Sequence, residues 1–338
     1  LEAEKLEEQT IGSSVLSLKE TAKEWAKKVN IDSVSKLNTA IASGKGLELV
    51  LMCEAMQQNS IYEIARQIYK ENRKIVLIAG PSSAGKTTFS HRLAIQLKTM
   101  GLNPHPIAAD NYFVNREDNP KDENGNYDFE CLEALDVEKL NSDMLKLLAG
   151  EEIELPEFDF LVGQRRYKGN MLKLEDRDVI IMEGIHSLNP AMSYALEGQD
   201  KYKIYISPLN QLYIDEEHKV STMDSRLLRR IVRDHRTRGH NVEKTLAMWK
   251  SVRAGEEKHI FPYENQADVM FNSGLLYEYA AISPMAAPLL AQIQSTSPYY
   301  SDAQRLTHFV ENFVPMDTSY IPQSSIIREF IGGGCFKL

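Results

Sequence analysis

The sequence predicts an α/β protein built on a doubly wound parallel sheet, and three observations carry that prediction. Short apolar runs at Ile75 to Ala79, Pro106 to Ala109, Val179 to Met182, Tyr202 to Ile206 and Asp268 to Phe271 alternate with helical stretches, the pattern of a parallel sheet covered on both faces. The first run passes through a glycine- and serine-rich loop into a helical stretch from Lys86 to Met100, closed by Gly101. With 338 residues, 43% apolar and 26% charged, the chain can bury one large core or two modest ones.

Residues 1–71 read as a helical N-terminal segment. From Ser17 to Lys70, Trp25, Val29, Leu37, Ile41, Leu49, Met52, Met56, Ile61, Ile64 and Ile68 recur at helical spacing, and Gly44 and Gly46 break the pattern once. The doubly wound domain is expected over 72–293. Between 116 and 177 the organisation changes: Asn124-Gly125 is a turn signal, and Glu152 to Phe160 and Tyr167 to Leu174 look extended and joined through Gly163. This stretch predicts an inserted lobe beside the sheet. Residues 294–338 read as a helical C-terminal extension, with a helix near Asp302 to Phe313 and a Gly332-Gly333-Gly334 run.

Composition excludes several function classes. The formal net charge of -9 argues against nonspecific nucleic-acid binding, because counterion release rewards a basic face. Cys53, Cys131 and Cys335 lie far apart without paired spacing, so neither a disulfide framework nor a zinc site is suggested and a reducing, cytoplasmic location fits. No apolar run approaches the roughly 20 residues of a membrane helix, and no membrane partner is expected.

Gly80-Pro81-Ser82-Ser83-Ala84-Gly85-Lys86-Thr87 fits G-x-x-x-x-G-K-[ST] between an expected strand and an expected helix. The glycines let backbone N–H groups turn toward phosphate oxygens, and the helix start adds the positive end of its dipole. Gly80, Ser82, Ser83, Ala84, Gly85, Lys86, Thr87 and Thr88 are therefore expected to hold ATP, with Lys86 bridging the β- and γ-phosphates and the Thr87 hydroxyl ligating magnesium. No N-K-x-D sequence reads guanine, and Asp122 to Gly125 matches D-x-x-G without following a strand, so the GTPase reading fails. The L-S-G-G-Q element of a transporter ATPase is absent as well.

The second strand run ends at Asp110, and Asp178 to Gly184 delivers Glu183 to the same carboxyl edge, the ligand crevice of a doubly wound sheet. Asp110 can accept the proton of an attacking hydroxyl, and both carboxylates can hold magnesium or its water. A capping aspartate and an exposed strand-end glutamate are the plainer alternatives. From Asp224 to His240, Arg226, Arg229, Arg230 and Arg233 fall on one helical face, followed by Arg236 and Arg238. Such a helix suits a lid whose guanidinium forks bind phosphate; a solvated basic face and an RNA-binding patch are the alternatives.

The runs IAGPSSAGKTTF, AADNYFVNRE, YDFECLEALD, LPEFDF, IIMEGIHSLN and RLLRRIVRDHRTRG, in that order, resemble the uridine kinase and phosphoribulokinase family from about Lys74 to Ile293. MWKSVRAGEEKHIFPYENQADVMFNS and IPQSSIIREFIGGG resemble a bacterial uridine kinase-like subgroup, whose N-terminal region is similar to the accessory domains of threonyl-tRNA synthetase. That resemblance makes residues 1–71 the remnant of such an accessory domain. It also implies Asp110 as catalytic base, Thr87, Asp110 and Glu183 around magnesium, and Arg233 and Arg238 as lid arginines (224–240) on the ATP phosphates. Tyr112, Glu130, Phe158, Phe160 and Arg230 fall on the acceptor side. The family's ribose aspartate is Glu130 here, its pyrimidine-reading tyrosine and histidine are Phe158 and Gly163, a ribose arginine is His240, and a glutamine near the base is Met248. These departures predict an apolar slot with weak base discrimination.

The expected protein is an ATP- and magnesium-dependent phosphotransferase acting on a small-molecule hydroxyl, with uridine or cytidine the leading acceptor. The alternatives are a kinase for a non-nucleoside metabolite and an ATP-binding regulatory or RNA-linked module without transfer. A homo-oligomer is compatible with the sequence.

Overall fold

The computed structural model describes residues 13–121, 125, 127–159, 162–209, 212–214 and 219–336. Three helices open the described chain: α1 (Ser13–Lys28), α2 (Val34–Ala42) and α3 (Gly46–Glu71). The expected single break is therefore two. Asn30, with φ of 56°, ends α1, and Ser33 starts α2 by accepting the Lys36 N–H at 3.3 Å, a side-chain cap.

The sheet is parallel and five-stranded, in the order β2 (Asn103–Ala108), β5 (Asp178–Glu183), β1 (Ile75–Ala79), β6 (Lys201–Ser207) and β7 (Val269–Asn272). All residues of β1 are buried, as a strand covered on both faces requires. Val76 and Ile78 point into one core with Ile61, Ile64 and Ile68 of α3, while Ile75 and Leu77 point into another with Ile107, Ile180 and Met182. The first core also takes in α4 (Lys86–Thr99), α6 (Thr222–Thr237), α7 (Val242–His259), α8 (Glu278–Leu290) and α9 (Tyr300–Glu311). The second is closed by α5 (Val137–Leu148). Helices thus cover both faces, the doubly wound arrangement expected.

The N-terminal helices share the core of the sheet. Arg92 of α4, 6% exposed, donates to Gln57 Oε1 at 3.1 Å and pairs with Glu54 at 3.4 Å, and Tyr277 donates to Glu54 at 2.7 Å. The inserted stretch carries a hairpin, β3 (Ile153–Asp159) against β4 (Gln164–Leu172), with Phe158 opposite Arg165. Asn124 of the expected turn lies outside the described residues. The C-terminal stretch ends in the short α10 (Arg328–Ile331), and Ile326, Ile327 and Phe330 are fully buried in the first core. Among the described residues no helix is long and apolar enough to cross a membrane.

Candidate active site

The loop from Gly80 to Gly85 joins β1 to α4. Gly80 has no room for a side chain, since a Cβ there would lie 2.2 Å from the Ile206 carbonyl oxygen on β6. Gly85, the N-cap of α4, adopts φ of 86°, a conformation that costs glycine little. The first intrahelical bond of α4 runs from Phe89 N–H to Gly85 O, so the N–H groups of Lys86, Thr87 and Thr88 have no partner within the helix. Together with the helix dipole they form a positive pole suited to phosphate. Lys86 Nζ folds over the loop, donating to Gly80 O at 3.0 Å and Pro81 O at 3.3 Å.

Asp110 stands on the single turn Ala109–Tyr112 directly after β2, and Glu183 ends β5. Because Ala108 pairs with Glu183 across the parallel ladder, both carboxylates reach the same sheet edge. Thr87 Oγ1 donates to Glu183 Oε1 at 2.9 Å. Burial raises the Asp110 carboxyl above its ordinary range, against the lowering pull of Lys86 and Arg238. Burial likewise pushes Glu183 up to about 7; Lys86 and the Thr87 hydrogen bond oppose the rise, and the charges of Asp110 and Glu329 add to it.

The raised Glu183 gives a pH dependence with a definite sign. Its folded value of about 7 lies above the ordinary 4.5, so the unfolded chain loses its proton first and stability falls between those two pH values. Glu183→Gln, which cannot ionise, is expected to leave the melting temperature of the ligand-free protein nearly unchanged near pH 4. Above pH 7 it should raise stability by at most about 3 kcal/mol, less with solvent screening. A thermal-denaturation series from pH 4 to 8 checks this; a pH-independent difference would refute the assignment.

The arginine helix α6 differs from the expected lid. Arg226 and Arg229 are buried in structural pairs: Arg226 donates to both oxygens of Glu256 at 2.5 and 2.7 Å, and Arg229 Nη2 donates to Glu278 at 2.7 Å. Burial of that face removes the solvated-face and RNA-patch alternatives for these two residues. Arg230, Arg233 and Arg238 gather on buried Asp234, at 3.3, 2.7 and 3.6 Å. Arg230 also donates to Ser82 Oγ of the phosphate loop at 2.7 Å.

A model of the "Phosphoribulokinase / Uridine kinase family" matches residues 75–276, more than half the chain, spanning the phosphate loop, Asp110, Glu183 and the arginine helix. The chain belongs to that family. It is 30% identical over 198 residues to a uridine kinase of Halobacterium salinarum, covering 58% of this chain and 79% of that protein. A uridine kinase of Ligilactobacillus salivarius is 29% identical over 208 residues, 61% of this chain and 88% of the relative. A uridine-cytidine kinase 2-B of Danio rerio is 24% identical over 208 residues, 59% and 73% of the two chains. The solved structure of a possible uridine kinase from Bacillus stearothermophilus superposes loosely, with a TM-score of 0.38, 20% identity, and 59% and 89% coverage.

The acceptor-side residues expected from this phosphoribulokinase and uridine kinase family behave unevenly. Glu130 is half-buried; burial raises its carboxyl, Arg230 and Lys86 lower it, and Glu256 and Asp110 raise it, so it senses the same group of charges. Gly255 makes room for it, since a Cβ there would lie 2.9 Å from Glu130 Cβ. Phe158 packs on Phe113 with ring centroids 5.6 Å apart, and its N–H donates to Asn111 Oδ1 at 3.2 Å, tying the hairpin to the Asp110 turn. Tyr112 is a correction: it is fully buried with Leu140 and Met144, its hydroxyl donating to Asp143 at 3.2 Å, because the turn after β2 points this ring into the core. Phe160 lies outside the described residues.

The expected apolar slot is also corrected at Gly163. The space beside its α-carbon is filled by Arg116, whose Nε would lie 2.7 Å from a Cβ there. A guanidinium thus replaces the missing side chain. His240 sits 3.9 Å from Asp234, and Met248 is 37% exposed on α7.

Three site carboxylates escape sequence reasoning. Glu256 accepts the Ser82 N–H at 2.9 Å, Asp234 holds the arginine group, and Glu329 accepts from both the N–H (3.2 Å) and the hydroxyl (2.8 Å) of Thr88. Glu256 and Asp234 sit in charged helical runs that read as solvated, and Glu329 in a short apolar patch that carries no phosphate-site signal. Two of the three meet partners more than 170 residues away in sequence.

Proposed function

We propose that this protein is an ATP-dependent nucleoside kinase that forms a 5'-monophosphate, with uridine or cytidine as acceptor. The observation that carries the reading is the convergence of Lys86, Thr87, Asp110 and Glu183 at one sheet edge on a chain of this family. In this role the N–H groups opening α4 and the Lys86 ammonium hold the phosphates, and Arg233 and Arg238 stabilise charge during transfer. Asp110 accepts the acceptor's hydroxyl proton as its oxygen bonds to the γ-phosphorus and the bond to ADP breaks. Glu130 and Arg230 grip the ribose, and Phe158 faces the base.

The donor set fits magnesium. The Thr87 hydroxyl and Glu183 carboxylate are adjacent hard oxygen donors, with Asp110 close by. Among the described residues no group of three or more His, Cys, Asp or Glu is placed to hold a metal unaided. Sharing the ion with substrate phosphates is the usual arrangement for magnesium, which there neutralises charge on the β- and γ-oxygens.

An acceptor screen tests the proposal. With ATP and magnesium, phosphate is expected on a primary hydroxyl, with pyrimidine ribonucleosides among the acceptors; with the Arg116 guanidinium beside Gly163, the slot is not the purely apolar one the sequence predicts. Uridine, cytidine, purine nucleosides, pantothenate, glycerate and pentose phosphates belong in one assay. Activity confined to a non-nucleoside would overturn the acceptor, and no transfer to any compound would favour a regulatory module. We read 72–293 as the kinase domain and the preceding helices as the end of an accessory region resembling that of threonyl-tRNA synthetase. The kinase is read as cytoplasmic.

A further inference from the structure

The first turn of α4 offers three N–H donors outside the helix's own ladder, and one of them is already bonded to an anion from the far end of the chain. Glu329 Oε2 accepts the Thr88 N–H at 3.2 Å and the Thr88 hydroxyl at 2.8 Å, and Glu329 is 8% exposed. A phosphate docking on this loop needs the same donors. Among the described residues no arginine or lysine forms an ion pair with the Glu329 carboxylate. It is held as a ligand phosphate would be, by N–H, hydroxyl and dipole.

The backbone carrying Glu329 is firmly seated. Arg236 donates to the carbonyls of Glu329 at 2.9 Å and Phe330 at 3.2 Å, and Arg328 Nη2 donates to those of Thr318 at 2.7 Å and Ile321 at 2.6 Å. Ile326 fills the side of Gly85, where a Cβ would come within 2.5 Å of its Cγ2. The other carboxylate on the loop, Glu256, is neutralised by Arg226 and Arg253 and reads as a permanent brace. Among the described residues Glu329 has no such counter-ion, and its charge reaches Glu183.

We infer that Glu329 is a built-in competitor for nucleotide phosphate at Thr88, so that the C-terminal segment sets how tightly this protein takes its nucleotide. Binding then displaces the Glu329 carboxylate by side-chain rotation while the buried segment stays in place. The inference rests on the phosphate-loop reading above and concerns affinity, not transfer.

Calorimetric titration of the full chain with ATP, ADP and adenosine tests it. Glu329→Gln keeps the size and one acceptor but removes the charge, and Glu329→Ala clears the donors entirely. ATP and ADP are expected to bind about 10-fold tighter to the first and up to about 100-fold tighter to the second. Adenosine, which has no phosphate to place there, should bind all three proteins alike. Equal or weaker ATP binding by both variants, with melting temperatures near the parent's, overturns the inference, as does the same gain for adenosine. If the parent still transfers phosphate in that case, the kinase reading stands alone; if no protein of the three binds any adenine nucleotide, both readings fall.

Discussion

Replacing Asp110 with asparagine is expected to lower turnover about 10²- to 10⁴-fold with ATP affinity little changed. Asparagine preserves size and much of the hydrogen bonding, and removes only the ability to take a proton. The location makes the effect specific: Asp110 lies on a one-turn helix at the sheet edge, within the electrostatic reach of Lys86 and Arg238. Steady-state kinetics with ATP and the best acceptor, alongside nucleotide titration, separate the two quantities. Turnover within a few-fold of the parent would assign the proton to another group. A large loss of ATP affinity would instead make Asp110 a binding residue.

The largest expected effect on stability comes from Arg229→Met. Arg229 and Glu278 are both fully buried; Arg229 donates to the two Glu278 oxygens at 3.1 and 2.7 Å and to Ser273 O at 2.9 Å, and lies over the Phe330 ring at 4.9 Å. Truncating one partner strands the other charge in the core, at a cost of about 3–5 kcal/mol. For a chain of this size that lowers the melting temperature by roughly 4–7 °C. Removing both charges together, Arg229→Met with Glu278→Leu, should recover part of the loss. Calorimetry of the three proteins decides: a single-variant loss below about 1 kcal/mol would mean water or another cation reaches Glu278. Arg229 also approaches the Ser83 carbonyl at 3.4 Å, so a weaker nucleotide affinity should accompany the lower stability.

The two residues show how far the sequence carries. Asp110 is legible because its signal is local: an apolar strand, then a carboxylate, in a chain whose phosphate loop already marks the ligand edge. Arg229 is not, because its spacing on α6 is the same as that of Arg230 and Arg233, while its environment depends on α8 packing beside α6. The same reason separates Tyr112, which looks like a site residue beside Asp110, from its actual place beneath the lobe. Gly163 reads as a lost side chain, yet Arg116, 47 positions earlier, occupies its place.

The sequence by itself determined the parallel sheet, the phosphate loop and the hairpin of the inserted stretch, and it placed the two carboxylates at strand ends, since each is written in contiguous residues; for the carboxylates a capping or exposed role stayed open until the phosphate loop marked that edge. Tertiary structure alone decided which arginines brace the core and which gather at the site, that the N-terminal helices share the core of the sheet, and that Glu256 and Glu329 sit on the phosphate loop. Those facts depend on contacts between segments far apart in the chain. A charged residue on a helix has the same local pattern whether it ends in solvent, in a buried pair or on a ligand's donors; only the packing of the whole chain distinguishes them.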